Sequence, residues 1–268
     1  MKDLRQRVEA AELSMQPNDT SLMFFIRTAA ELRMEVVDFY CGVLASHERQ
    51  YLASIKRLCL ESGLPIGYIG ANALLQGTAA ENREQIADAK SQVDAAAFLG
   101  APLVRVFCAT VPESNADGEP LWPTMIEGYR EIADYAATHG VSIGLQNHPS
   151  TGDEMLRIRS DVDRANFALL MDTGQWVGAP GAPPKGESDP SVDYYAYMEQ
   201  TIPFTTYVRC KFYEVESGTE EWLDYDRIAD IIRRSGFNGC ISIVYEGQRE
   251  DTVEQVRLAA AQLRALLT

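Results

Sequence analysis

The sequence predicts an α/β protein built as a single (β/α)8 TIM barrel. Short runs of β-branched and aromatic residues alternate with longer segments whose apolar residues recur at helical spacing, which is the pattern of a parallel sheet assembled from βαβ units. The length of 268 residues matches one such barrel, which typically needs about 250 residues. Glycine also follows several helical segments directly before the next strand, as expected for one unit repeated along the chain.

Eight short apolar runs are predicted to be strands. In chain order they are residues 13–16, 36–40, 66–69, 103–108, 142–147, 167–172, 206–212 and 240–245. Their length and their polar or turn-forming boundaries indicate strands that are buried in a parallel sheet.

Seven longer segments between the strands are predicted to be helices, at residues 22–32, 48–61, 83–98, 124–138, 194–200, 225–234 and 252–267. Several of them stop at a glycine that suits the left-handed residue closing a helix, namely Gly63, Gly100, Gly140 and Gly236. An open doubly wound sheet is the alternative fold, but no Gly-x-Gly-x-x-Gly motif follows the first predicted strand.

Residues 1–268 are interpreted as one barrel domain, with residues 1–10 as an N-terminal extension. One segment, 174–190, is rich in glycine and proline and follows the sixth predicted strand. A loop of this length in a compact domain is typical of an active-site lid or of a mobile surface loop. We expect a lid over the barrel, and the mobile loop stays open as the alternative.

The composition argues against several classes of partner. A formal net charge of −15 without any block of lysine and arginine disfavours binding to nucleic acids or to anionic membranes. The first residues lack the apolar segment of a signal peptide or membrane span, so we expect a cytoplasmic protein. Five widely spaced cysteines without a Cys-x-x-Cys pair predict neither a disulfide framework nor a zinc knuckle.

Two predicted strands end in clustered polar residues. The run at 142–147 finishes in Gln146-Asn147 and is followed by His148, and the run at 167–172 finishes in Asp172. Ligands of parallel α/β sheets and barrels bind at the carboxyl ends of the strands. The sequence therefore predicts a functional site near these side chains.

Four strings, taken together in their order and spacing, resemble the xylose isomerase-like TIM barrel superfamily. They are Gly144-Leu145-Gln146-Asn147-His148, Met171-Asp172-Thr173-Gly174-Gln175, Tyr207-Val208-Arg209-Cys210-Lys211 and Gly236-Phe237-Asn238-Gly239-Cys240-Ile241-Ser242-Ile243. The superfamily contains sugar isomerases and epimerases, inositol-catabolic dehydratases, hydroxypyruvate isomerases and the endonuclease IV type of repair enzyme. The resemblance spans essentially the whole chain and implies a barrel that acts on carbohydrates.

Members of this superfamily typically hold one divalent metal with Glu, Asp, His and Glu. The resemblance places these ligands at Gln146, Asp172, Arg209 and Val244, so only the aspartate is kept. An amide, a guanidinium and a valine are poor substitutes, which predicts that the family metal site is lost. A rebuilt site for Mn, Mg or Zn, made of His148, Asp172 and Glu246, is the alternative.

A cationic site is the expected replacement. Three residues lie two positions beyond the replaced ligands and should share their inner face, namely His148, Lys211 and Glu246. We expect His148 to be the general base, because the ordinary pKa of histidine, about 6.5, lies near working pH. Arg209 and Lys211 would stabilise a developing enolate. Asp172 and Glu246 would orient the base, pair with the cations or act as the partner acid.

Further residues are predicted to contact substrate: Gln146, Arg209, Arg105, Trp176, Tyr245 and His47. Each has a plain structural alternative, since Arg209 could belong to an internal ion pair, Gln146 could be a hydrogen-bonded core amide, and lone aromatic residues usually pack. A further histidine, His139, falls at a helix end on the opposite face of the barrel and is predicted to be structural.

The leading hypothesis is a carbohydrate or sugar-acid isomerase or epimerase that abstracts a proton next to a carbonyl. A lyase or dehydratase using the same first step is the alternative enzyme, and a barrel that only binds a small ligand or a partner subunit is the third hypothesis. Nucleic-acid repair is disfavoured, because three histidines at net charge −15 cannot supply its multi-metal site. The expected partner is a small carbohydrate or sugar acid, and barrels of this family often form homo-oligomers.

Overall fold

A computed structural model describes residues 19–267 and contains seven parallel strands in one sheet. Neighbours along the chain are neighbours in the sheet, so the strand order is sequential from β1 to β7. The strands are β1 (Val37–Tyr40), β2 (Ile66–Gly70), β3 (Leu103–Cys108), β4 (Ser142–Asn147), β5 (Phe167–Asp172), β6 (Thr205–Phe212) and β7 (Cys240–Tyr245). Sequential parallel order with intervening helices confirms the predicted α/β TIM barrel fold class.

Helices alternate with the strands and pack around them. They are α1 (Asp19–Glu31), α2 (Arg49–Glu61), α3 (Ala79–Leu99), α4 (Leu121–Thr138), α5 (Gly152–Val162), α6 (Tyr194–Thr201), α7 (Tyr225–Ser235) and α8 (Thr252–Leu267). No helix within residues 19–267 is long and apolar enough to cross a membrane.

The seven strands predicted within the described residues are confirmed to within one residue at each end. The predicted first strand, 13–16, and the N-terminal extension, 1–10, lie outside the described residues. One helix, α5, was not predicted, because its apolar residues Met155, Ile158 and Val162 stand among charged ones. Its sequence signal is a capping box, in which the Thr151 hydroxyl accepts from the backbone N–H of Glu154 and the Glu154 carboxylate accepts from Thr151.

Successive side chains along each strand point alternately into two different cores. The larger core lies between the sheet and the helices, whereas a small cluster of Tyr68, Leu103, Leu170 and Tyr207 fills the inside of the ring. The Tyr207 hydroxyl also donates to Oδ1 of Asp38 at 2.6 Å, which links β6 to β1 through the interior. No backbone pairing joins β1 to β7 within residues 19–267, so the described sheet is a nearly closed ring.

Helix ends fix the direction in which the chain enters each strand. Gly100 and Gly236 close α3 and α7 with φ of 88° and 71°, a left-handed conformation that glycine adopts without strain.

As predicted, His139 follows α4, where its Nε2 lies 3.4 Å from Asp94 of α3. It is therefore on the face of the barrel opposite the carboxyl ends of the strands.

Candidate active site

Asp172, the last residue of β5, is the fully buried centre of a polar cluster inside the barrel rim. Its Oδ2 accepts from the amide of Gln146 at 2.9 Å and from the guanidinium of Arg209 at 3.2 Å, while its Oδ1 accepts from the N–H of Gly174 at 3.1 Å. Strand pairing sets Asp172 directly beside Arg209, so the ion pair follows from the register of the sheet. The carboxylate is thus surrounded by donors.

Asn147 fixes the backbone of Asp172. Its side-chain oxygen accepts from the N–H of Asp172 at 2.8 Å, and its amide nitrogen donates to the carbonyl of Asp172 at 2.9 Å. Asn147 is fully buried at the end of β4, next to β5. This two-bond clamp holds the aspartate and therefore the groups that it binds.

A second ion-pair group lies next to Asp172. Nζ of Lys211 is 3.7 Å from Oδ2 of Asp172 and also donates to the Glu246 carboxylate. The other oxygen of Glu246 accepts from Lys185 at 3.0 Å, so a residue of the 174–190 segment is tied to the rim. Lys211 is fully buried and Glu246 is partly exposed. As the strand period predicted, Lys211 and Glu246 share the inner face.

Burial and ion pairing shift the pKa values of this group in known directions. Burial lowers the pKa of Lys211, although Asp172 and Glu246 act in the opposite direction. Burial by itself raises the pKa of Glu246, but the charges and hydrogen bonds of Lys211 and Lys185 outweigh it and lower the pKa to about 2. Burial also opposes the charge on Arg209, yet surrounding groups that include Asp172 raise its pKa above the ordinary value.

His148 lies at the exposed edge of the same cluster, and its backbone N–H donates to the carbonyl of Cys108. The imidazole packs against Phe107 with 4.8 Å between ring centroids. Desolvation lowers the pKa of His148 below its ordinary value of 6.5, while Asp172 raises it and Lys211 and Arg105 lower it further. The ring is therefore mainly neutral at neutral pH and is able to accept a proton.

Arg105 is a third buried cation, and its side chain lies inside the ring on β3. The guanidinium carbon is 3.9 Å from the Phe107 ring centroid and 5.9 Å from that of Tyr40. Its Nη1 donates to the carbonyl of Ala71 at 3.5 Å, and its Nε has no hydrogen-bond partner among residues 19–267. Burial lowers the pKa of Arg105 to about 10, which leaves it charged at neutral pH.

Three of the predicted substrate-binding residues are not brought to this cluster. Trp176 is fully buried and packs on Tyr197 of α6 at 5.9 Å between centroids. Tyr245 accepts from the N–H of Arg249 through its hydroxyl, and Nδ1 of His47 lies 2.8 Å from the hydroxyl of Ser91 on α3. Gln146, Arg209 and Arg105 do lie within the ring, together with Asp172, Lys211 and Glu246 of the predicted catalytic set. The fourth member of that set, His148, lies at the exposed edge of the cluster.

Sequence reasoning gave no role to Asn147, Phe107 or Lys185. Lys185 had a usable signal, since it is the one basic residue in the segment 174–190. Phe107 had another signal, because it lies two positions after Arg105 and so shares the inner face of β3. The clamp by Asn147 had none, because its bonds depend on the pairing of β4 with β5.

The side chains present do not suit a divalent metal ion at the family position. Asp172, the one ligand type that the resemblance keeps, has two cations within 3.2 and 3.7 Å of one oxygen. Across residues 19–267, no three His, Cys, Asp or Glu side chains are grouped so as to bind a metal. A cation brought to this position would meet charge repulsion from Arg209 and Lys211.

Comparisons with known proteins agree with this architecture. No protein of curated function matches the chain. The fold is similar to that of a xylose isomerase domain protein from Planctomyces limnophilus (TM-score 0.71, 16% identity, 90% of each chain covered). It is also similar to D-psicose 3-epimerase from Clostridium cellulolyticum (0.71, 14%, 91% of this chain and 93% of that one) and to 3-keto-D-glucoside 4-epimerase from E. coli (0.70, 15%, 94% and 96%). The sequence profile of the xylose isomerase-like TIM barrel matches residues 26–266, and the chain therefore belongs to that family.

Proposed function

We propose that the protein is a carbohydrate or sugar-acid isomerase or epimerase that abstracts a proton next to a carbonyl without the metal of its family. The carrying observation is the pairing of Asp172 with Arg209 and Lys211 beside His148 at one rim of the barrel. Sugar epimerases of the same fold support the reaction class. The two cations within 3.2 and 3.7 Å of Oδ2 of Asp172 support the proposed absence of the ion.

His148 acts as the general base in this proposal. Its lowered pKa keeps the imidazole neutral at neutral pH, so it can take a proton from the carbon next to the carbonyl. Return of that proton to the carbonyl carbon, with a hydroxyl proton moving from one oxygen to the other, gives an isomer. Delivery of a proton from a second acid to the opposite face of the original carbon gives an epimer and leaves the first proton on His148. The second outcome needs a second acid, for which the ammonium of Lys211 is suited because burial lowers its pKa.

Arg209 and Lys211 stabilise the enolate that forms when the proton leaves. Both are fixed cations in a buried setting, where charge stabilisation is stronger than in water. Asp172 and Glu246 hold these cations in place, which makes the two carboxylates positioning residues. The buried Oε1 of Gln146, which has no hydrogen-bond partner in the described part of the chain, is available to accept a hydrogen bond from a hydroxyl of the sugar.

The 174–190 segment serves as a lid in this proposal. Its first half is largely buried and its second half, from residue 183 onward, is exposed. The ion pair of Lys185 with Glu246 joins the exposed half to the rim beside Lys211. Because this ion pair lies beside Lys211, it can change when a substrate binds in the active site.

Solvent hydrogen exchange tests the proposal. The protein is incubated in D2O with a panel of keto-sugars and keto-sugar acids, and NMR follows deuterium entering the carbon next to the carbonyl. We expect exchange to fall by about 10²–10⁴-fold in His148→Ala, as for loss of a general base, and to be unchanged in the control His139→Ala. The rate should rise with pH through an apparent pKa below 6.5.

The product separates this reaction from its alternatives. Exchange with retention of all oxygens supports an isomerase or epimerase, whereas loss of water or another β-substituent indicates a lyase. The fully paired Asp172 favours, as a second candidate, a barrel that binds a ligand without turnover. Binding without any exchange, or exchange that persists in His148→Ala, would contradict the proposed function.

A further inference from the structure

Arg105 differs from the other two cations of the site in its lack of an acidic partner. Arg209 pairs with Asp172 and Lys211 pairs with Glu246, but within residues 19–267 no carboxylate lies within ion-pair distance of Arg105. Its side chain is only 3% exposed. A buried charge without a counter-ion destabilises a folded protein unless something else compensates it.

The surroundings of Arg105 form a cradle that depends on a glycine. A Cβ atom added to Gly70, the last residue of β2, would overlap Nη2 of Arg105. The rings of Phe107 and Tyr40 lie beside the guanidinium at 3.9 and 5.9 Å. The aromatic faces stabilise the cation but do not neutralise it. The buried Nε has no hydrogen-bond partner among residues 19–267, so it has a hydrogen left to donate to an anion.

Phe107 lies between Arg105 and the proposed general base, His148. Phe107 contacts the guanidinium on one side and the imidazole of His148 at 4.8 Å. A ligand that spans the phenyl ring can therefore reach Arg105 with one end and His148 with the other. That span suits a molecule of several carbons.

We propose that the substrate carries a carboxylate that Arg105 binds, so that the protein acts on a sugar acid and not on a neutral sugar. This inference rests on the proposed function for the identity of the reacting end. A planar carboxylate matches the guanidinium edge in a two-point hydrogen bond. A phosphoryl group offers the same charge but is tetrahedral and bulkier, which the cradle between two rings disfavours.

Binding of three probes to the full-length protein tests the carboxylate site. The probes are D-gluconate, D-glucose and D-glucose 6-phosphate, which share a six-carbon chain and carry a carboxylate at C1, no charge, and a phosphate at C6, respectively. Calorimetry gives their affinities. We expect gluconate to bind more tightly than the other two by about tenfold or more, and this preference to be lost in Arg105→Met. Arg157→Met is the matched control, because Arg157 stacks on Trp122 at 3.8 Å away from the barrel interior.

Two further measurements separate binding from structure and from catalysis. Without ligand, Arg105→Met should melt at or above the wild-type temperature, because an unpaired buried charge is removed; gluconate should raise Tm of the wild type only. If Arg105→Met does not fold, Arg105→Lys replaces it in the test. Arg105→Lys should bind gluconate more weakly than the wild type, because lysine cannot make the two-point contact. In His148→Ala the preference for gluconate should persist, which makes this test independent of turnover.

Each other outcome overturns the inference. Equal affinity for gluconate and glucose would mean that Arg105 binds no anion, and proton abstraction from a neutral sugar would still stand. Tighter binding of the phosphate ester would replace the carboxylate by a phosphoryl group. An undiminished preference for gluconate in Arg105→Met would move the anion site elsewhere.

Discussion

At the residue scale, one buried carboxylate organises the charges of the site. Asp172 accepts from Gln146 and Arg209 and lies 3.7 Å from Nζ of Lys211, so it keeps both cations in fixed positions within the ring. Fixed charges stabilise a transition state without the cost of reorganising solvent. The proposed chemistry therefore depends on how firmly Asp172 itself is held.

Asn147→Ala tests this dependence. The substitution leaves the N–H and the carbonyl of Asp172 without their side-chain partners in a buried place. We expect the free energy of unfolding in urea to fall by about 2 kcal/mol or more. Asn166→Ala is the control, because Asn166 makes a similar pair of backbone contacts, to Ala133 and Val141. Only Asn147→Ala should also slow solvent hydrogen exchange at the substrate carbon; equal slowing in both variants would contradict a positioning role.

The lowered pKa of Glu246 predicts how the stability of the fold depends on pH. Its pKa is lowered from 4.5 to about 2 in the folded protein, so the carboxylate contributes stability that is fully present above pH 4.5 and is lost as pH falls towards 2. Glu246→Gln should be less stable than the wild type at pH 7 and should show a smaller loss between those pH values in thermal melts. A loss as steep as that of the wild type would show that the ion pairs do not stabilise the fold.

Glu131→Gln is the matched control for Glu246→Gln. Hydrogen bonds from Arg83 and Lys90 lower the pKa of Glu131 to about 2 as well, but this group joins helices on the outside of the barrel. Glu131→Gln should also show a smaller loss of stability than the wild type between pH 4.5 and pH 2, and it should leave ligand binding unaltered.

Residue by residue, the alternation of side chains along a strand predicted the placement of Lys211 and Glu246, whose contact confirms their shared inner face. The same rule places Tyr245, one position before Glu246, on the other face, where it accepts from Arg249. Trp176 follows the strand end, and there no periodicity predicts direction. The bonds of Asn147 and the exposed position of Lys185 depend on tertiary pairing, which a single sequence does not contain.

At the element scale, the 174–190 segment contains no helix, and its isolated bridge is from Trp176 to Ser150. Its order comes from local bonds, such as Gln175 donating to the carbonyl of Gly181 and Gly186 donating to that of Pro180. The ion pair of Lys185 with Glu246 is the contact from its exposed half to the rim. The predicted lid therefore depends on one side chain for that contact.

Lys185→Met should release the exposed half of this segment. We expect faster amide hydrogen exchange at residues 183–190, measured by mass spectrometry, with little change in Tm, because exposed ion pairs contribute about 1 kcal/mol or less. Lys90→Met, which removes an ion pair between helices, should not affect that segment. Unchanged exchange in Lys185→Met would argue against a tether.

Helix boundaries show where local signals are sufficient. Apolar periodicity predicted α8 at its observed limits and α7 to within one residue, since each has a continuous apolar face. It missed α5, whose charged residues weaken the pattern, although the capping box at Thr151 marks its start.

At the scale of the whole molecule, closure of the barrel between β7 and β1 is a prediction from the sequence. Within residues 19–267, β1 and β7 are not paired with each other, and most residues of β7 are partly exposed. The sequence predicts a strand at 13–16, which lies outside the described residues and would fill this position.

Truncation tests the prediction. Removal of residues 1–18 should expose two sheet edges, promote aggregation and lower Tm by about 2–4 °C for each kcal/mol lost. Removal of residues 1–10 alone, the predicted extension, should leave Tm near that of the full chain. If both truncated chains melted like the full chain, residues 13–16 would not be the missing strand.

The whole molecule also combines a net charge of −15 with cations gathered inside the ring. Arg209 and Lys211 are paired there with Asp172 and Glu246, whereas Arg105 has no carboxylate within ion-pair distance among residues 19–267. We propose that these cations replace the metal ion of the family, with Arg209 at one of the positions that the resemblance assigns to a metal ligand.

The most direct test of that replacement is a Mn²⁺ titration of the metal-stripped protein, followed by electron paramagnetic resonance, with solvent hydrogen exchange measured on the same sample. We predict no stoichiometric binding of the ion, because Arg209 and Lys211 already neutralise Asp172, and full exchange activity in the presence of a chelator. Tight binding of one Mn²⁺ per chain, with exchange activity that requires the ion, would contradict the account.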